Sequence, residues 1–124
     1  MFEFQDFLDW VKLTVTGNDW IFSRGAWNDT ADTYTKFICA VKQNGGAVSG
    51  LLKTDNFEVW VIGRRGQRGD VIAVESMANA LLLASKSGVI PCNSVDVRLI
   101  SGPTGPAYTD ENRAWYSLNF QVIH

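Results

Sequence analysis

From residue 116 the chain alternates without a fault: Tyr116, Leu118, Phe120 and Val122 are apolar, while Ser117, Asn119 and Gln121 between them are polar. Successive side chains of a strand point to opposite faces, so this segment reads as a strand with one face buried. Whatever fold forms must therefore hold a sheet with at least one covered face, and this last strand is expected inside its core. The residues before it, 102–113, carry Gly102, Pro103, Gly105 and Pro106 and read as a loop longer than most connections in compact domains.

A covered sheet needs covering elements, and two segments have the helical period. In residues 2–15, Phe4, Phe7, Leu8, Val11 and Val15 recur at spacings of three and four, before Gly17 and Asn18 stop the pattern. In residues 71–87, Val74, Met77, Ala78, Leu81 and Ala84 or Ser85 form one stripe, with Asp70 as the expected N-cap and Gly88 as the stop. Further strands are expected at 20–23, at 36–42 (apolar on both faces, as in a central strand), at 57–63, and around Val95, Val97 and Leu99. Residues 28–35 read as a polar turn or loop. Asn44-Gly45-Gly46 signals a turn opening a long connection over 43–56, in which Leu51 and Leu52 either tuck under the loop or await a partner. The order predicts one α+β domain over residues 1–124: a mixed, mostly antiparallel sheet of four to five strands with two main helices against it.

The composition narrows the function. With 124 residues, 46% of them hydrophobic, and a net charge of -2, the chain has no general attraction to nucleic acid or anionic membranes. The start, with acidic residues and no cationic region, is not expected to be a signal peptide, and no apolar stretch reaches membrane-span length, so folding in a cytoplasm is expected. Cys39 and Cys92 make no disulfide framework and have no Cys or His at metal-ligand spacing; both are expected as reduced thiols. The five tryptophans are many for this length and fit either internal packing or an assembly interface.

Catalytic motifs are missing: no nucleophile elbow, no zinc-protease helix and no phosphate loop of the Gly-Lys-Ser/Thr type. The single histidine, His124, is expected to be solvated. Arg64, Arg65 and Arg68 stand in a glycine-bounded loop ahead of a helix, where an anion could bind, so a small phospholigand-binding domain or enzyme using this loop is one alternative. Asp70 weakens it, since a carboxylate on the first helical N–H groups would sit where a phosphate would. Asp110 and Glu111 could be acid and base or metal ligands, yet adjacent residues of an extended chain point apart and no third ligand is spaced to join them. No catalytic, metal or cofactor-binding residue is assigned. The arginine loop pairing with Asp110 and Glu111 across a subunit boundary explains both features together, since guanidinium groups suit carboxylates.

Three passages carry a family resemblance: Lys36-Phe-Ile-Cys-Ala-Val-Lys-Gln-Asn-Gly-Gly46, Val59-Trp-Val-Ile-Gly-Arg-Arg-Gly-Gln-Arg-Gly-Asp70, and Gly102-Pro-Thr-Gly-Pro-Ala-Tyr-Thr-Asp-Glu-Asn-Arg-Ala-Trp-Tyr-Ser-Leu-Asn-Phe-Gln-Val-Ile123. With the order of elements, they make the chain resemble the tail terminator, or tail completion, proteins of long-tailed bacteriophages, also called minor tail proteins. The resemblance implies a non-enzymatic virion protein of the tail and neck, assembled in the host cytoplasm, that forms a homo-oligomeric ring, typically a hexamer. Such a ring binds the tail tube protein, stops tube polymerisation and meets a head-completion or neck protein, while DNA passes through the lumen without specific binding. A head-completion or neck connector is the alternative within the same setting. On this reading Arg64, Arg65, Arg68, Tyr108, Asp110, Glu111 and Trp115 are candidate subunit-interface residues, and Leu51 and Leu52 are candidate tail-tube contacts.

Overall fold

The computed structural model describes residues 1–17, 19–25 and 33–124. Helix α1 (Phe4–Thr14) opens the chain and leads into strand β1 (Trp20–Arg24). Strands β2 (Phe37–Ser49) and β3 (Leu52–Ile62) follow, then helix α2 (Val71–Ala84), and strands β4 (Asp96–Tyr108) and β5 (Ala114–Ile123) close it. The five strands form one sheet in the order β1-β2-β3-β5-β4. Only the β1–β2 pair is parallel; the other three pairs are antiparallel, so the sheet is mixed and mostly antiparallel, as the α+β pattern implied.

Alternation decides which face is covered. Cys39 and Val41 of β2, Phe57, Val59 and Val61 of β3, and Leu118, Phe120 and Val122 of β5 face the helices, where Phe7, Trp10 and Val11 of α1 and Val74, Ala78 and Leu81 of α2 meet them. Phe7 stacks on Phe57 with ring centroids 4.2 Å apart. Fully burying an aliphatic or aromatic side chain of this size contributes about 1.5–3 kcal/mol, so this layer dominates the stability. Removing Phe7 would uncouple α1 from the sheet. The Trp10 indole N–H donates to the Val89 carbonyl at 2.9 Å, which lets a large ring be buried without an orphaned donor. The opposite face carries the other set of residues, with Trp60, Ile62 and Trp115 at one end and Asn119 and Gln121 towards the other.

Two expected loops are strands. Residues 43–56 form a continuous hairpin: β2 and β3 stay paired from Ile38↔Ile62 to Ser49↔Leu52, and the reversal is the two residues Gly50 and Leu51. Gly50 takes φ +62°, which suits the first central position of a tight hairpin turn. Asn44-Gly45-Gly46 is not the turn. It is the irregularity between Gln43 and Gly46, where the ladder shifts register and Gly45 takes φ +83°. A positive-φ glycine serves a bulge as well as a turn, which is why the motif misleads.

Likewise most of residues 102–113 belong to β4, which pairs with β5 down to Tyr108↔Ala114 through three register shifts. Pro103 and Pro106 lie within the shifted stretches, where a residue without an N–H can be accommodated on an edge strand. A Cβ on Gly102 would stand 2.7 Å from the Ser117 carbonyl oxygen, so glycine lets β4 approach β5 there. Of the polar stretch 28–35, residues 28–32 lie outside the described residues. Helix α2 ends at Ala84, short of Ser87, where Lys86 and Ser87 N–H groups bond three residues back in a tightened last turn.

Candidate functional site

The arginine loop and the β4–β5 turn meet at one end of the sheet, within a single chain. Asp70 holds the N-cap position of α2, yet its carboxylate does not cap the helix. It accepts instead from the Arg64 backbone N–H at 2.9 Å, from Nε at 2.8 Å and from Nη2 at 2.7 Å. The Arg64 side-chain hydrogen bonds lower the Asp70 pKa against the opposing effect of burial, and the same bonds raise that of Arg64. Gly63 makes room for this fold-back, because a Cβ there would stand 2.9 Å from the Asp70 Cβ.

Four backbone N–H groups of this stretch already have backbone partners. Arg65 N–H donates to the Tyr34 carbonyl at 3.2 Å, Gly66 N–H to the Glu111 carbonyl at 2.9 Å, Gln67 N–H to Arg64 at 3.3 Å and Asp70 N–H to Gln67 at 2.9 Å. The guanidinium groups lie over rings: Arg65 over Tyr34 at 4.2 Å, Arg68 over Tyr108 at 3.9 Å and Arg64 over Phe37 at 5.3 Å. Arg68 also reaches the Asn112 side-chain oxygen at 3.4 Å. The result is a knitted patch of alternating charge and aromatic surface. Among the described residues no group of acidic, His or Cys side chains could hold a metal.

Arg113 was not singled out from the sequence, and it is the residue that fixes this end. It is fully buried, at 0% exposure, and donates to the carbonyls of Thr33 at 2.8 Å, Gly63 at 2.9 Å and Lys36 at 3.1 Å. One guanidinium thus ties the segment before β2, the end of β3 and the start of β5. No local sequence signal marks it, because its acceptors lie 50 to 80 residues away along the chain.

Beside this patch, on the face away from the helices, Trp60, Ile62, Thr109 and Trp115 line a cavity of about 160 Å³. Trp115 therefore sits with Tyr108, Asp110, Glu111 and the arginines at one end. Leu51 and Leu52 sit at the other. Leu51 is fully exposed at the tip of the β2–β3 hairpin, next to half-exposed Leu52 and exposed Val48. At the base of that hairpin His124 is not solvated: its side chain is 14% exposed, its Nε2 lies 2.8 Å from Asp55, and its ring packs against Phe2 at 4.8 Å. The antiparallel ladder carries it there, because Lys53 and His124 exchange backbone hydrogen bonds at 2.8 Å.

The described residues thus place a hairpin ending in exposed leucines at one end of the sheet and a knitted polar patch at the other. The family model for phage tail termination proteins matches the chain over residues 1–124. The chain belongs to that family. It is a bacteriophage structural protein of the tail-terminator type, with its place in the virion tail. A comparison with curated proteins gives no match.

Cys39 is buried in β2, where desolvation pushes its pKa up to about 12, leaving it protonated and inert. Cys92 is free and exposed.

Proposed function

We propose that this tail-termination protein closes into a homo-oligomeric ring, a hexamer, that caps the tail tube, stops its polymerisation and presents its other side to a head-completion protein. The observation that carries the tube contact is the hairpin arm. Residues Lys42 to Ser49 of β2 are exposed, and the arm ends in exposed Val48 and Leu51 beside half-exposed Leu52. Exposed apolar side chains gathered at the tip of an ordered projection suit insertion into a partner.

The patch of Arg65, Arg68, Tyr108, Asp110, Glu111 and Trp115 serves as one subunit contact, with Arg64 shaping it through its lock on Asp70. Both signs of charge on one patch favour a defined orientation over strong affinity. The net charge of -2 suits a lumen through which DNA slides without sticking, since each phosphate contact would add salt-dependent affinity. Joining purified protein to polymerising tube subunits tests the cap: wild-type protein is expected to give short, capped tubes by electron microscopy, and Leu51→Ser/Leu52→Ser to give uncapped tubes of uncontrolled length. Equal tube lengths with the two proteins would remove the arm from the mechanism.

A further inference from the structure

The motif that the fold does not use as its turn, Asn44-Gly45, is placed for a reaction of its own. The ladder pairs Gln43 with Phe57 and Gly46 with Asp55, so Asn44 and Gly45 together face the single residue Asn56. Two residues against one make a bulge, where the regular ladder is broken. Asn44 is exposed, as is all of β2 from Lys42 to Ser49. Gly45 takes φ +83°, and even a Cβ built there would meet nothing within 4 Å. The backbone nitrogen of a residue that follows asparagine can attack the side-chain amide carbon. A side chain on that following residue crowds the attack, and a regular ladder holds the nitrogen away from it; glycine in a bulge removes both obstacles. The other described asparagines lack this combination. Asn93 donates through Nδ2 to Asp6 at 3.3 Å, Asn119 donates to the Ser101 hydroxyl at 2.9 Å, and Asn112 accepts from Arg68 at 3.4 Å. Asn79 lies inside α2, whose ladder holds the next amide, and Asn56 is followed by buried Phe57. Asn44 is followed by glycine and has no side-chain hydrogen bond among the described residues.

We propose that Asn44-Gly45 is a self-modification site, at which the Gly45 backbone nitrogen attacks the Asn44 side-chain amide and so ages the hairpin arm. A bond forms from the Gly45 nitrogen to Asn44 Cγ as the Cγ–Nδ2 bond breaks. The Gly45 N–H proton passes to solvent base, and Nδ2 leaves as ammonia. The product is a five-membered succinimide, with no change of oxidation state. Water then adds to one of its two carbonyls and opens the ring, giving aspartate or isoaspartate at position 44. Both products add a negative charge, but only isoaspartate routes the main chain through the former side chain and lengthens it by one carbon. That carbon falls at the bulge, from which the pairs Gly46↔Asp55, Ala47↔Thr54, Val48↔Lys53 and Ser49↔Leu52 run out to the tip. Pairing and side-chain facing are locked together by the two-residue period of a strand, so an added backbone atom loosens these pairs. The modification stands on this geometry alone, while its effect on tube capping rests on the role proposed for the arm.

The test uses the full folded chain, aged in mildly alkaline buffer well below its melting temperature and mapped by peptide mass spectrometry with isoaspartyl methyltransferase labelling. The expected result is the mass gain of an amide-to-acid exchange at Asn44 ahead of every other asparagine, with isoaspartate as the larger product. Asn44→Gln, whose longer side chain would have to close a six-membered ring, is expected to show none over the same time. Amide hydrogen exchange on the aged protein is expected to lose protection at residues 46–49 and 52–55, with the core strands unchanged. Asn44→Asp, which brings the charge without the added carbon, is expected to keep that protection. Asn44 that stays intact in the folded chain while converting in the urea-unfolded chain overturns the site, as does earlier conversion at another asparagine. Conversion without loss of protection in the arm, or equal loss in Asn44→Asp, overturns the ageing of the arm. Aged protein that has a loosened arm and still caps tubes as fresh protein does would overturn the arm's part in capping and leave the modification standing.

Discussion

The two ends of the sheet carry similar sequence, glycine-rich segments with a few charged and apolar residues, and they resolve in opposite ways. At the arginine end, polar groups turn inward: Asp70 takes Arg64, four loop amides have backbone partners, and Arg113 is buried against three carbonyls. At the hairpin end, backbone bonds are made within the arm but the apolar side chains Val48, Leu51 and Leu52 remain in water. The first spends its buried polar groups on its own fold and leaves only the outer surface of its patch to a neighbour, whereas the second leaves apolar side chains in water. Chemical character alone does not separate a structural loop from a binding loop; where the hydrogen bonds end does.

That contrast breaks most easily at Arg113. Arg113→Met leaves the carbonyls of Thr33, Gly63 and Lys36 without this donor, and losses of this kind come to roughly 3 kcal/mol or more, so the melting temperature is expected to fall by about 10 °C. A fall of only a degree or two by calorimetry would mean that this end is not held by its buried guanidinium.

A smaller effect is expected at Asp70, and it depends on pH. Its pKa in the folded chain lies below the ordinary carboxylate value of about 3.9, so its contribution is fully present above that value and is lost as pH falls through the folded value. Asp70→Asn should therefore melt below the wild type at pH 7, and the gap should narrow only as the pH falls below about 4. A gap that stays constant over that range would show that the Arg64 pair does not titrate with folding.

At the other end, Leu51→Ser/Leu52→Ser should change stability by less than about 0.5 kcal/mol, as surface substitutions do, while abolishing control of tube length. Smallest of all is the thiol count. A thiol reagent should label Cys92 in the native protein and reach Cys39 only after unfolding; rapid native labelling of both would contradict a closed core.

The core was legible because its signals were local and redundant. The alternation from Tyr116 to Val122 and the stripes Phe7, Val11 and Val74, Ala78, Leu81 give the buried face directly. What was misread came from glycine and proline. Gly45 and Gly50 both take positive φ, one in a bulge and one in a turn, and sequence does not say which; Pro103 and Pro106 sit in an irregular edge strand that looks like a loop. The site was legible by residue type and not by partner. Asp70 was expected on the helix amides and Arg64 on another subunit, whereas six residues of separation let them close on each other. From the sequence His124 looks solvated, because its pairing with Asp55 depends on a register across β3 and β5 that only the whole sheet fixes. Arg113 shows the same limit, since its three acceptors are brought together by tertiary structure alone.

The claim that the hairpin end, and not the arginine end, meets the tail tube is tested most directly by amide hydrogen exchange on the assembled protein with and without tail tubes. The account predicts that tubes add protection at residues 47–53 and leave 63–70 and 109–113 unchanged. New protection at the arginine end with none in the hairpin would contradict it.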